Sequence, residues 1–167
     1  YRTVMGNEHE KAAYFTRGTG HDEFGNYSED PDVWQRMLDR IQMKFDNARE
    51  KLPDPVFRNL EGAKIGLIGM GSTEPAIIEA QDKLQGLGIE TDYMRIRSLP
   101  FSKKVRDFIN AHEMNYVLEL NRDGQLHQIL MIDFPEEVGR LSSLAYIDGL
   151  PMTADWIIKS ISAKEQK

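Results

Sequence analysis

Tyr116-Val-Leu-Glu-Leu-Asn-Arg-Asp-Gly-Gln-Leu-His-Gln-Ile129 passes from an apolar run through a polar turn into the opening of a helix. The pattern predicts a strand over 115–120 and a helix from about residue 124. The same order recurs on both sides of it. Residues 63–68 read as a first strand, followed by a helix over 73–87 whose exit Gly88 marks. Residues 89–96 read as a second strand and 102–112 as a helix. A short strand over 143–147 precedes a last helix over 153–163, capped by Thr153, with Trp156, Ile157 and Ile161 facing inward. Repeated strand-helix order demands a mostly parallel sheet with helices on both faces, because each crossover must return the chain to the same end of the sheet. Ligands on such sheets bind beyond the carboxyl ends of the strands, near a topological switch point. Four loops therefore carry the candidate chemistry: 69–73, 97–102, 121–125 and 148–153.

The first loop contains Gly69, Gly71, Ser72 and Thr73 between a buried strand and a helix, so its amides and the Ser72 hydroxyl suit an anion. It lacks the third glycine of a dinucleotide fingerprint and the Gly-Lys-Ser/Thr ending of a phosphate-binding loop. The alternative is structural: Gly69 and Gly71 permit a tight turn and close helix packing, Ser72 or Thr73 caps the helix, and Pro75 sits in its first turn. In the third loop Glu119, Asn121, Arg122, Asp123 and Gln125 surround Gly124 at a helix entrance. A general-acid role for Glu119 requires burial and a partner that shifts its pKa. The alternative is that Glu119 and Asn121 hydrogen-bond loop backbone while Gln125 contacts another domain or subunit. Arg95 and Arg97 flank Ile96 and suit a phosphate or carboxylate, or else pair with surface carboxylates. The four histidines, His9, His21, His112 and His127, match no zinc spacing, so no metal site is assigned.

Upstream of Gly62 the composition differs. Residues 1–30 are rich in Gly, Asn, Asp, Glu and His, with Tyr14, Phe15, Phe24 and Tyr27 scattered singly. Burying one such aromatic is worth roughly 1.5–3 kcal/mol, while ordering each backbone residue costs about 1–2 kcal/mol. The segment is therefore expected to pack on neighbouring protein. A helix follows: Asp30 caps it, Pro31 occupies its first position, and Trp34, Leu38, Ile41, Phe45, Ala48 and Leu52 form an apolar stripe that docks on its own or a neighbouring domain. Pro53 and Pro55 end it.

The chain has 167 residues, a net charge of -6 and no cysteine. The acidic balance disfavours sequence-independent nucleic-acid binding, which needs Lys and Arg at the phosphates. Without cysteine the chain has no disulfide, no thiolate nucleophile and no cysteine-ligated iron-sulfur cluster. No apolar run approaches the roughly twenty residues that span a bilayer, and the first residues lack an export pattern, which points to the cytoplasm.

Three segments carry a family resemblance: 116–129, Gly69-Met-Gly-Ser-Thr-Glu-Pro75, and Gly18-Thr-Gly-His-Asp-Glu-Phe-Gly-Asn-Tyr-Ser-Glu-Asp30. Together they resemble the C-terminal part of the alpha subunit of 2-oxoacid:ferredoxin oxidoreductases, most closely the 2-oxoglutarate type. The resemblance implies a three-layer α/β/α sandwich similar to the C-terminal domain of transketolase, with a mostly parallel sheet of about five strands over 61–167. It implies that 1–60 comprise the segment leaving a pyrimidine-binding domain and the connecting helix, with residues 55–58 as the additional strand. The whole enzyme is expected to decarboxylate a 2-oxoacid oxidatively to an acyl-coenzyme A, using thiamine diphosphate, magnesium and iron-sulfur clusters and reducing ferredoxin. No Gly-Asp-Gly thiamine motif is present, and the start at Tyr1 is expected to reflect an excised or truncated subunit. The resemblance implies a structural and assembly domain with no catalytic residue, no cofactor of its own, and other domains and subunits as partners. Ferredoxin would then be an indirect partner, and association into a homo-oligomer stays open. A stand-alone α/β domain binding a phosphate-bearing ligand or nucleotide at 69–73 is the alternative.

Overall fold

Gly66 and Gly69 punctuate Ile65–Met70, the strand at the middle of the sheet, and their missing side chains let neighbouring groups close on its backbone. A Cβ on Gly69 would lie 2.5 Å from Ile77 Cδ1 and 3.0 Å from Thr73 Oγ1, so glycine here permits the next helix to approach. The computed structural model describes residues 4–13, 20–58 and 63–165. Tyr14 and Phe15 lie outside the described residues. The chain divides into two compact units, Tyr1–Ala48 and Arg49–Lys167.

In the first unit, residues 20–28 form a small hairpin closed by the His21–Tyr27 bridge. Asp22 organises its turn, its carboxylate accepting from the Phe24 amide at 2.9 Å and the Asn26 amide at 2.9 Å. The helix α1 (Pro31–Ala48) follows. Asp30 Oδ1 accepts from the amides of Asp32 at 2.8 Å and Val33 at 3.1 Å, the expected cap. The helix stops four residues before Leu52 and none of its residues is fully buried, since Trp34, Leu38, Ile41 and Phe45 all keep much of their surface exposed.

The second unit is the α/β sandwich. Its strands are β1 (Val56–Arg58), β2 (Ile65–Met70), β3 (Thr91–Ile96), β4 (Met114–Glu119) and β5 (Leu141–Ala145), in the sheet order β1-β3-β2-β4-β5. Only β1 is antiparallel to its neighbour; β2 pairs in parallel with both β3 and β4, and β4 with β5. Alternation along the strands sorts the core. Leu67, Tyr93, Tyr116 and Leu118 face α2 (Glu74–Gly86) and α5 (Ala154–Glu165), meeting Ile77, Leu84, Ile157 and Ile161. Ile68, Met94, Ile96 and Val117 face α3 (Lys103–Ala111) and α4 (Gln125–Asp133), meeting Phe108, Ile109, Leu126 and Leu130.

Three expected strands are displaced by two residues, the first running over Ile65–Met70 rather than 63–68. The second begins at Thr91 rather than residue 89, because Leu87, Gly88 and Ile89 donate their amides back to Leu84 and Gln85 and so belong to the end of α2. The last strand runs two residues earlier than expected, since its register pairs Asn115 with Leu141 and Glu119 with Ala145. A 3-10 turn over Gly71–Thr73 precedes α2, and neither Ser72 nor Thr73 caps that helix through its side chain. Thr73 instead donates its hydroxyl back to the Met70 carbonyl at 3.2 Å. Thr153 does cap α5, accepting from the Trp156 amide at 3.3 Å.

The segment entering the sheet is fastened by Arg49, whose guanidinium makes two parallel bonds to Asp133 at 2.6 and 2.8 Å and a third to the Phe101 carbonyl at 2.9 Å. Arg49→Ala is expected to lower the stability of the chain by about 2 kcal/mol, and Arg49→Lys by nearly as much, because an ammonium cannot reproduce the paired geometry. In an Asp133→Ala background the Arg49→Ala change should cost about 1 kcal/mol, chiefly the bond to the Phe101 carbonyl. Urea unfolding of the four variants measures the coupling.

Candidate functional site

The chain leaves β2 toward β3 on one side and later enters β4 on the other, so the switch point of the sheet lies between β2 and β4. Loops 70–73 and 120–125 flank it. Between them opens a cleft of about 340 Å³ walled by Met70, Ser72, Leu99, Leu120, Gln125 and Ile129, with Gly71, Thr73, Glu119 and Asn121 at its edges. A second cleft of about 420 Å³ shares Ser72 and Leu120 and continues over Tyr146, Ile147, Leu150 and Pro151. The two form one continuous surface at the carboxyl end of the sheet.

Glu119 is the last residue of β4 and only 6% exposed. Its carboxylate accepts from the Leu126 amide at 2.7 Å, the His127 amide at 3.1 Å and the Asn121 side chain. Asn121 Oδ1 in turn accepts from the amides of Asp123 at 3.1 Å, Gly124 at 2.7 Å and Gln125 at 3.2 Å. Every orphan amide of the first turn of α4 is thus satisfied from inside the protein. Gly124 makes this possible: it sits at φ 66°, and a Cβ there would lie 2.7 Å from Ser143 Oγ. Glu119 and Asn121 therefore build the helix entrance, and the α4 N-terminus has no amide left for an anion.

The loop after β2 differs, since no side chain caps its 3-10 turn or α2. Gly71 takes φ 69°, and Glu74 brings a carboxylate to the first turn of α2. Arg95 pairs with Glu74 at 2.7 Å and is thereby drawn away from any ligand. Burial, with the nearby Glu74 charge, pushes the Tyr93 hydroxyl well above its ordinary range, so this phenol stays protonated. Arg97 is exposed and has no ion-pair partner among the described residues. In the second cleft Tyr146 packs at a tilt against Trp156, ring centroids 4.9 Å apart, and its hydroxyl bonds to Asp148. That bond and the Leu150 amide hold the Asp148 carboxyl below its usual range.

The structure thus brings Gly71, Ser72, Thr73, Glu119, Asn121 and Gln125 together, while Arg95 is turned into an ion pair. What the sequence reading missed is the apolar character of the place: Met70, Leu99, Leu120, Ile129, Ile147 and Leu150 are all exposed there. A signal existed, since Met70 and Leu120 continue the apolar runs into the loops. Among the described residues no group of three or more histidines and carboxylates is arranged to hold a metal ion. No described helix is long and apolar enough to cross a membrane. The surface has the makings of a contact site: an apolar centre, a polar edge, and acids already spent on backbone.

No family model matches the chain. It is 31% identical over 140 residues to the 2-oxoacid:ferredoxin oxidoreductase 2 alpha subunit of Aeropyrum pernix, an alignment covering 81% of this chain and 22% of that protein. It is 28% identical over 155 residues to the 2-oxoacid:ferredoxin oxidoreductase alpha subunit of Saccharolobus solfataricus, covering 90% of this chain and 24% of that one. The chain thus spans under a quarter of the length of these curated relatives. Among solved structures, 2-oxoglutarate:ferredoxin oxidoreductase from Magnetococcus marinus, with 2-oxoglutarate, coenzyme A and succinyl-CoA bound, superposes with a TM-score of 0.75 at 22% identity, over 94% of this chain and 27% of that one. A split-gene transketolase gives a TM-score of 0.53 at 16% identity over 65% of this chain and 40% of that one. These two likenesses concern the fold.

Proposed function

We propose that this chain, whose sequence relatives are alpha subunits of 2-oxoacid:ferredoxin oxidoreductases, is a structural and assembly domain of such an enzyme. The observation that carries the reading is the surface at the switch point: its apolar side chains are exposed, while Glu119 and the α4 amides are consumed within the fold. Ile147 and Leu150, at 65% and 68% exposure, are the natural centre of a contact with another domain or subunit. The whole enzyme would convert a 2-oxoacid to an acyl-coenzyme A and reduce ferredoxin. The solved 2-oxoglutarate enzyme with its similar fold supports 2-oxoglutarate as that acid. Thiamine diphosphate, magnesium and the iron-sulfur clusters would be held elsewhere in the complex, since a chain without cysteine offers no thiolate to a cluster. An acidic chain is also a poor landing site for an acidic ferredoxin, which would dock on another part of the complex.

In the assembled enzyme, Ile147→Asp with Leu150→Asp is expected to release this domain from its neighbours and cut turnover of 2-oxoglutarate with coenzyme A and an artificial acceptor by more than about tenfold. Size-exclusion chromatography reads the assembly and absorbance of the acceptor reads the turnover. Wild-type assembly by the double variant, or robust turnover by the isolated chain, would sink the reading. The rival is a phosphate-bearing ligand or nucleotide at Gly69–Thr73. Glu74 and Glu119 weigh against it, because both set negative charge beside the place an anion would occupy. Calorimetric titration with nucleotides and coenzyme A decides: micromolar binding abolished by Gly71→Val would favour the rival.

A further inference from the structure

Trp34, Leu38, Ile41 and Phe45 follow one another along α1 at spacings of four, three and four, and each keeps between 40% and 53% of its surface exposed. The hairpin of residues 20–28 lies on another flank. It packs beside the start of the helix, where a Cβ on Gly20 would lie 2.6 Å from Trp34 Cε3, and the cleft between the two is walled on the helix side by Val33, Arg36, Met37 and Arg40. An apolar repeat of seven residues, two per repeat, is the narrow seam of paired helices rather than the broad face of a core helix. A solvated helix of 18 residues is marginal by itself, so the seam needs a second surface to hold it.

The seam matches a copy of itself turned end for end. Laying Pro31 against Ala48 of a second copy overlays the two helices along their whole length. The same register sets Trp34 against Phe45 of the second copy and Leu38 against its Ile41, so aromatic meets aromatic at both ends and aliphatic meets aliphatic in the middle. The borders of the seam agree with this. Gln35 and Gln42 line one side, Met37 and Lys44 the other, so the two-fold places Gln35 near Gln42 of the second copy and Lys44 near its Met37, with no like charges opposed. The acids stay outside: Asp32, Asp39 and Asp46 recur every seventh residue beyond the glutamines, and Gln35 and Gln42 donate to Asp39 at 2.9 Å and Asp46 at 3.2 Å. End-for-end pairing also sets the two helix dipoles in opposition, which a parallel pair would align.

We infer that α1 pairs antiparallel with α1 of a second copy of this chain, through Trp34, Leu38, Ile41 and Phe45 of each. Two helices of this length bury less than a standard protein interface, so the pairing is reversible and concentration-dependent. It rests on the first unit alone and stands whether or not the surface at the carboxyl end of the sheet is an assembly interface.

Sedimentation velocity on the full chain, between about 1 and 100 µM, tests the pairing. The chain should pass from monomer to dimer over that range, and L38K/I41K, two changes at exposed positions, should weaken the association at least tenfold. I147D/L150D should leave it unchanged. The register is read by cross-linking, since the chain has no cysteine of its own. Oxidised Q35C/Q42C should run as a covalent dimer, while Q35C and Q42C alone stay monomeric, because the end-for-end register keeps like-numbered residues of this pair about 10 Å apart along the axis. A chain that is monomeric throughout, dimers indifferent to L38K/I41K, or dimers abolished by I147D/L150D would overturn the inference. Cross-linking of Q35C alone as strong as that of the double variant would overturn the antiparallel register.

Discussion

Glu119→Ala is expected to cost about 3 kcal/mol of stability, because a buried charged acceptor shared by two helix amides is removed and nothing replaces it. The Leu126 and His127 amides would be left without acceptors at the start of α4, and Asn121 would lose the partner that holds its side chain in place. Glu119→Gln should cost less, about 1.5 kcal/mol, since one oxygen can still accept from one amide. Hydrogen exchange should locate the damage: protection at 124–128 falls first, while amides of β2 and β3 keep theirs. Equal stability of Glu119→Ala and wild type in urea would refute the capping role. It would return the carboxylate to the candidates for ligand chemistry.

Gly66→Ala is the second large effect expected, about 3 kcal/mol, although it adds a single methyl group. The new Cβ would sit 2.2 Å from Asn115 Oδ1 and 2.9 Å from Phe108 Cε1, far inside contact distance. Asn115 cannot retreat freely, because its side-chain nitrogen donates to the Ile109 carbonyl at 3.0 Å and the Arg140 carbonyl at 3.3 Å. Moving it would loosen the end of α3 and the entry to β5 together. Removing the Asn115 side chain relieves the closer collision and leaves the one with Phe108, so Gly66→Ala added to Asn115→Ala should cost about 1 kcal/mol, well below its cost alone. Denaturant midpoints of the four variants measure this. Full additivity would show that the collision with Asn115 is not the cause.

Much of this was legible in the residues. The strand-helix order from β2 to α5 and the parallel sheet follow from apolar runs alternating with helical periods, since a strand buried on both faces must be apolar throughout, whereas β1 was expected only from the family resemblance. The caps at Asp30 and Thr153 were equally local, needing only a short polar side chain two or three residues before the amides it serves. The glycine turn at Gly71 was also local, as its backbone angle shows. Strand ends were less legible: Thr91 and Leu141 are fixed by pairing register and by the bonds that close the preceding helix, which involve residues distant in sequence.

The candidate site divides along the same line. By itself the sequence determined that loops 69–73 and 121–125 meet at one end of a parallel sheet, because every parallel crossover delivers its loop there. It determined too that the chain carries no thiolate. Only the tertiary structure decided what those loop residues do. Along the chain Glu119 and Arg95 were open between ligand contact and structural pairing, and folding sets one against the α4 amides and the other against Glu74, 21 residues away. The same folding leaves Ile147 and Leu150 uncovered and gives the surface its apolar centre. The physical reason is range: propensity and capping act over a few residues, whereas the partner of a charge and the covering of an apolar side chain depend on which distant segments share a surface.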